Sequence, residues 1–245
     1  MGDKIVVAHG DYFGATLTKA VELMGSGNNT AIVSGPPHPV LGSYGYRVGF
    51  FVSNAAGATL RGFKVVGSPS PVVVGVLVVS SDKTTVEKLL FDTPYEAINI
   101  FASSHCRITH NTVTNQLGAT RSAINLLSGV SWGWRGPVTD NVVAFNTVEN
   151  GEGGGLSLVS YKLSSFLVTG NTVEHNKVNN PDGKGMVLAG DPLKLFDNSI
   201  AFNDFRGTGL EISVSSNDLL TVNTFDRNLG FLPPNQPNRG QDGKH

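Results

Sequence analysis

The chain has 245 residues and a formal net charge of −1; 40% of its residues are apolar and 15% charged. That is enough apolar material for one continuous core, and it excludes the composition of a disordered chain. Near-zero net charge offers no basic field for a phosphate backbone, so a nucleic-acid partner is not expected. A single cysteine, Cys106, rules out an intrachain disulfide framework, and the longest apolar run, Val72 to Val79, is too short to span a bilayer.

In chain order, Met1 to Tyr12 reads as a strand from its first residues. Two readings stay open for it: a natural start with a short cap, or a Met1 replacing a longer N-terminus that held a capping helix and an export signal. From residue 50 onward two motifs alternate. The first is an apolar-x-apolar pair, usually behind a small residue: Phe50/Val52, Val76/Val78, Ile98/Ile100, Ile124/Leu126, Leu156/Leu158, Met186/Leu188 and Leu210/Ile212. The second is apolar-x-x-Asn-x-apolar, centred on Asn111, Asn146, Asn171, Asn198 and Asn223; Phe63 and Leu89 replace the Asn in two earlier copies. From 63 to 223 the centres are separated by 26, 22, 35, 25, 27 and 25 residues.

A fixed period of roughly 25 residues is the mark of a repeat architecture. Alternation of period two sends one set of side chains inward, and a single rung cannot bury them alone. The spacing therefore predicts an all-β, right-handed parallel β-helix: a solenoid of about eight rungs, three strands per rung, with neighbouring rungs hydrogen-bonded in parallel. Like residues then stack on like, so the five Asn are expected to form one ladder at a tight turn, continued by Phe63 and Leu89. The whole of 1–245 reads as one domain, with 229–245 as a C-terminal tail or cap. An unrelated α/β fold with parallel strands is the competing reading. It needs a crossover helix every ~30 residues, and Gly151-Glu152-Gly153-Gly154-Gly155 is a poor helix.

The repeat resembles the pectin-lyase-like superfamily, in particular the parallel β-helix repeats of NosD-like and carbohydrate-processing proteins. The resemblance covers roughly residues 3 to 228. It implies a substrate groove along the first strand of each rung, a saccharide ligand and an extracytoplasmic location; shared fold does not carry shared activity.

On the expected groove floor, the outward residues between the inward pairs are Phe51, Leu77, Asn99, Asn125, Ser157, Val187 and Glu211; the next row is Ser53, Val79, Phe101, Leu127, Val159, Ala189 and Ser213. Only Glu211 among them is ionisable. Lyases of this fold need a base and a group that neutralises the substrate carboxylate, and hydrolases need paired acids. Neither set lies on these strands, nor does the Asp-Pro-His-Asp motif of alginate epimerases occur. An outward apolar stripe also requires a cover or a ligand.

The long rung supplies the candidates. From Ile124 to Asn146 is 22 residues where 13 is usual, and the insertion carries Ser131-Trp132-Gly133-Trp134-Arg135. Trp132 and Trp134 would stack on a sugar ring, or anchor the loop against the body; Arg135 would grip a carboxylate. The facing loop, Glu174 to Lys184, holds His175, Asp182 and Lys184. Tyr161 and Lys162 follow the next first strand, and Glu152 precedes it. If the protein is a catalyst, Tyr161, Lys162, His175 or Lys184 would abstract a proton in lyase or isomerase chemistry, while Glu152 and Glu211 would serve hydrolysis. Asn125, Ser157 and Asp182 complete the expected binding set. For Glu152, His175 and Asp182 the plainer reading is a solvated turn residue.

His105 and His110 lack a third metal ligand, so no metal site is expected. Lys83 and Lys88 read as solubility charges, Asp92-Thr-Pro-Tyr95 as a turn, and Cys106 as a small packed residue. No dinucleotide or Walker motif is present, and no cofactor is expected. The competing function is a non-catalytic scaffold whose apolar stripe binds a partner, or an enzyme acting on an apolar small molecule there.

Overall fold

Every strand ladder among the described residues is parallel; a computed structural model describes residues 2–39, 42–68, 73–129, 133–161 and 164–231. An eight-stranded sheet, called here the first-strand sheet, contains Ala15–Leu17, Arg47–Ser53, Val73–Val79, Glu96–Phe101, Ser122–Ser128, Gly154–Ser160, Lys184–Ala189 and Leu210–Val214. A fourteen-stranded and a three-stranded sheet form the other walls. The chain is therefore an all-β parallel β-helix, as the period requires.

The core follows from register. Phe50, Val76, Ile98, Ile124, Leu156, Met186 and Ile212 stack as one inward column, and all seven belong to the buried apolar core. Val52, Val78, Ile100, Leu126 and Leu158 stack beside them. One expectation is corrected at the last rung. Met186 pairs with Ile212 and Leu188 with Val214, so the inward pair there is Ile212/Val214. Leu210 is exposed.

The Asn column is corrected too: there are two ladders, five residues apart along the chain. In one, Asn111, Asn146, Asn176, Asn203 and Asn228 are joined by side-chain amide bonds of 2.9–3.0 Å. In the other, Asn141, Asn171, Asn198 and Asn223 are joined at 2.8–2.9 Å. The single column read from the sequence jumps between them after Asn146. Each motif copy is followed or preceded by a second one, such as Val173-Glu-His-Asn176-Lys-Val178, and only one copy per rung enters a single-column reading. Cys106 and Leu89 stand at the heads of the two columns, where their backbone N–H groups donate to Asn141 and Asn111.

These amides are fully used. Asn146 donates to Ile108 O, Ala144 O and Asn176 Oδ1, and its Oδ1 accepts both the N–H and the side-chain amide of Asn111. Residues just before the ladder Asn take left-handed backbone: His110, Phe145, His175, Phe202 and Arg227 have φ between 48° and 58°. That strain is tolerated because the following amide satisfies the corner's backbone. Cys106 is fully buried, and burial pushes its thiol up to about 12, so it is a packed residue and not a nucleophile. No helix among the described residues is long and apolar enough to cross a membrane.

Candidate functional site

A small residue in each first strand decides what faces outward. Ala97 and Ala123 lie in the inner core although Ile98 and Ile124 beside them do too. A Cβ at Gly75, Gly155 or Gly185 would run into Phe91, Val178 or Phe205, all core residues. Two consecutive inward residues reverse the parity of the strand. The residue before the small one therefore turns outward, and Val48, Val74, Glu96, Ser122, Gly154 and Lys184 form an additional outer row. Simple alternation places that row inside, which is why Glu96 and Lys184 are missing from the floor expected from the sequence. Small residues before each apolar pair were the available signal.

The outer face of this sheet has two halves. On the earlier rungs Val48, Val74, Leu77, Val79, Phe101 and Leu127 make a second buried cluster, packed against Phe51, Trp134, Val159 and Tyr161. The Trp134 ring lies 5.2 Å from Phe101, 5.9 Å from His38 and 6.5 Å from Phe51, centroid to centroid. Trp134 is thus the anchor of its loop. His38 is buried on the same patch, and burial lowers its pKa to about 4, so it is neutral at pH 7. Leu77, Val79, Phe101 and Leu127 of the apolar stripe are buried in this patch, while Phe51, Val159 and Val187 stay partly exposed.

On the later rungs the same face opens into a groove of about 270 Å³. Its floor is a directional chain of hydrogen bonds. The Ser157 hydroxyl donates to Asn125 Oδ1 at 2.6 Å, Asn125 Nδ2 to Asn99 Oδ1 at 2.7 Å, and Asn99 Nδ2 to Glu96 Oε2 at 2.7 Å. Asn125 spends further donor capacity on Ser122 O. A carboxylate can only accept, so Glu96 sets the direction of every amide above it. Glu96 is 4% exposed, and Arg121 Nε stands 3.7 Å from its other oxygen. Burial pushes the Glu96 carboxyl above the usual carboxylate range, against smaller opposing effects of the Asn99 bond and the Arg121 charge.

The walls are turns stacked rung on rung. A Cβ at Gly153 would collide with the carbonyl oxygens of Arg121 and Gly118, so only glycine lets these turns close up. Buried Gln116 ties the wall together, donating to the Tyr95 and Gly118 carbonyls and accepting the Gly153 N–H. Glu152, Asp182 and Lys184 rise at the rim and Tyr161 closes one end.

Of the residues singled out from sequence, Asn125, Glu152, Ser157, Tyr161, Asp182 and Lys184 line this one groove. Glu96 and Arg121 also line the groove and are missing from the candidates read off the sequence, while Asn99, expected on the floor, is fully buried beneath it. His175 stands on another side of the solenoid, in the turn between Thr172–Glu174 and Lys177–Asn179, stacked between Phe145 at 5.0 Å and Phe202 at 5.1 Å. Glu211 lies on the last rung beside Gly230 and outside the groove. Arg135 is exposed and Trp134 faces the apolar half, so neither lines the groove. Trp132 and Lys162 lie outside the described residues.

Fold and groove together define a right-handed β-helix protein with a ligand-sized cleft on its first-strand sheet. Residues 48–225 match the family model for the right-handed beta helix region, and the chain belongs to that family. Among solved structures it is similar to the catalytic domain of a GH87 α-1,3-glucanase in complex with nigerose, at 16% identity and a TM-score of 0.62. A tetrasaccharide complex of a variant of that domain scores 0.63 at 16% identity. In both, the match covers 92% of this chain but 40% of the other, so the chain spans well under half of those structures. The A-module of the mannuronan C-5 epimerase of Azotobacter vinelandii matches at 13% identity with a TM-score of 0.30. For the two glucanase structures, at 16% identity, the likeness is one of fold. No curated protein matches by sequence.

Proposed function

We propose that this chain is a carbohydrate-binding β-helix whose ligand lies in the groove over Asn125 and Ser157. The observation that carries the reading is the convergence of Glu96, Arg121, Asn125, Ser157, Glu152, Asp182 and Lys184 in one cleft of about 270 Å³. Hydroxyl-rich rings need many fixed polar partners at close spacing, and parallel stacking at the rung repeat supplies them. Similar folds bind nigerose and tetrasaccharides, which is consistent with this reading. An extracytoplasmic setting goes with such a ligand.

The groove also holds groups able to move protons. Glu96, kept protonated more readily by burial, suits a proton donor; Glu152 and Asp182 are carboxylates at the rim. Elimination, with Tyr161 or Lys184 as the base, needs a uronate, because it removes the ring proton beside the carboxyl. The test is affinity electrophoresis of the protein through a series of immobilised polysaccharides, with the Asn125→Leu variant beside it. Retardation by a glycan that the variant loses supports the reading; equal mobility in all gels rejects it. Incubation with the retarding glycan then separates hydrolysis, which releases reducing ends alone, from elimination, which also creates an ultraviolet-absorbing double bond.

A further inference from the structure

We propose that the groove selects neutral saccharides over uronates. The inference rests on the carbohydrate reading above and adds the charge class of the ligand.

Two independent features point the same way. The first is charge. Among the described residues the lining carries three carboxylates, Glu96, Glu152 and Asp182, against two cations, Arg121 and Lys184. One of those cations, Arg121, already faces Glu96 at 3.7 Å. A uronate brings a negative charge on every ring and needs a surplus of cations to receive it. With Glu96 ionised the groove has a surplus of anions, and with Glu96 protonated it is balanced. In neither state do the described lining residues give the positive excess that a chain of carboxylates requires.

The second feature is hydrogen-bond polarity. Glu96 orients Asn99, Asn125 and Ser157 so that one donor of each runs along the floor toward the carboxylate. The Ser157 hydrogen is spent on Asn125, and the amide of Asn125 is spent on Asn99 and Ser122. What remains free at Ser157 is its oxygen lone pairs. Its neighbour in the row is Val187, so the polar chain ends there and is not capped by another donor. The rim adds two more acceptors, Glu152 and Asp182. The Ser157 lone pairs and the Glu152 and Asp182 carboxylates, set beside the donors Arg121 and Lys184, match sugar hydroxyls, which donate. They oppose carboxylates, which present only lone pairs at neutral pH.

The test is calorimetric titration of the full chain with two sets of short oligosaccharides: gluco-, manno-, galacto- and xylo-oligosaccharides, and oligomers of galacturonate, mannuronate and guluronate. The proposal expects at least one neutral sugar to bind, with every uronate weaker by about tenfold or more. Asn125→Leu abolishes the neutral binding, and Ser157→Ala, a smaller change, weakens it if the first variant folds poorly. The rim-reversed double variant, Glu152→Lys with Asp182→Lys, alters only exposed side chains. It is expected to gain about tenfold for uronates at low salt, with the gain fading as salt rises. Uronate binding in the wild-type protein as tight as neutral binding, and sensitive to Asn125→Leu, overturns the charge class and leaves the groove reading standing. Binding by neither set overturns both.

Discussion

The first-strand sheet shows two outer faces built on one backbone. Leu77, Asn99, Asn125, Ser157 and Val187 stand in a single outward row at the parallel register. Where the row reads Leu, the chain folds its own loops over it and Trp134 seals the patch. Where it reads Asn125 and Ser157, each 4% exposed, the row borders the groove, and Asn99 beside them is fully buried. Backbone geometry is the same in both halves, so the difference lies in the desolvation cost of the side chains. Apolar rows gain by being covered, whereas the buried polar row is held by its own chain of hydrogen bonds beneath the groove.

Four experiments break or sharpen this contrast. The largest effect is expected from Phe101→Ala, which empties the centre of the covered half. It should cost about 3–4 kcal/mol in urea unfolding, and expose enough apolar surface to bind a hydrophobic dye in the native state. Next comes acidification of the same half. His38 has a folded pKa of about 4 against 6.5 unfolded, so the unfolded chain binds more protons in between. Stability should fall as pH drops through that window, by up to roughly 3 kcal/mol, and His38→Leu should remove that loss.

In the open half, Asn125→Leu removes the middle of the polar chain and leaves Asn99 and Ser157 each short of one partner. About 1–2 kcal/mol of stability should go, together with the groove's ligand binding. The smallest effect is expected from Glu96→Gln, and its pH dependence is opposite in sign to that of His38. The folded pKa of Glu96 is raised, so its contribution is fully present below the unfolded value and is lost as pH rises through the folded value. The glutamine keeps an acceptor for Asn99 without the buried charge. Relative to wild type, E96Q should therefore gain stability as pH is raised, read as a rising difference in thermal midpoint.

The sequence by itself determined the solenoid, its period, the long rung with its extra residues within 128–140 and the inward column from Phe50 to Met186, because burial of a repeated unit leaves a periodic trace that needs no knowledge of neighbours. It also brought Asn125, Ser157, Glu152, Asp182, Tyr161 and Lys184 forward as candidates, since loops and strand faces can be counted along the chain. Three things were decided only by tertiary structure. Whether Asn146 stacks on Asn171 or Asn176 depends on which corner of the next rung lies beneath it. The two motif copies are alike in sequence and differ only in space. Whether Glu96 faces in or out depends on the neighbouring Ala97 filling a gap in the core, which reverses the strand's parity at one residue. And whether a tryptophan meets a ligand or the body depends on what lies beneath it. Trp134 finds Phe101, His38 and Phe51 there, so its face is spent on packing, and the open cleft forms over Asn125 and Ser157 instead.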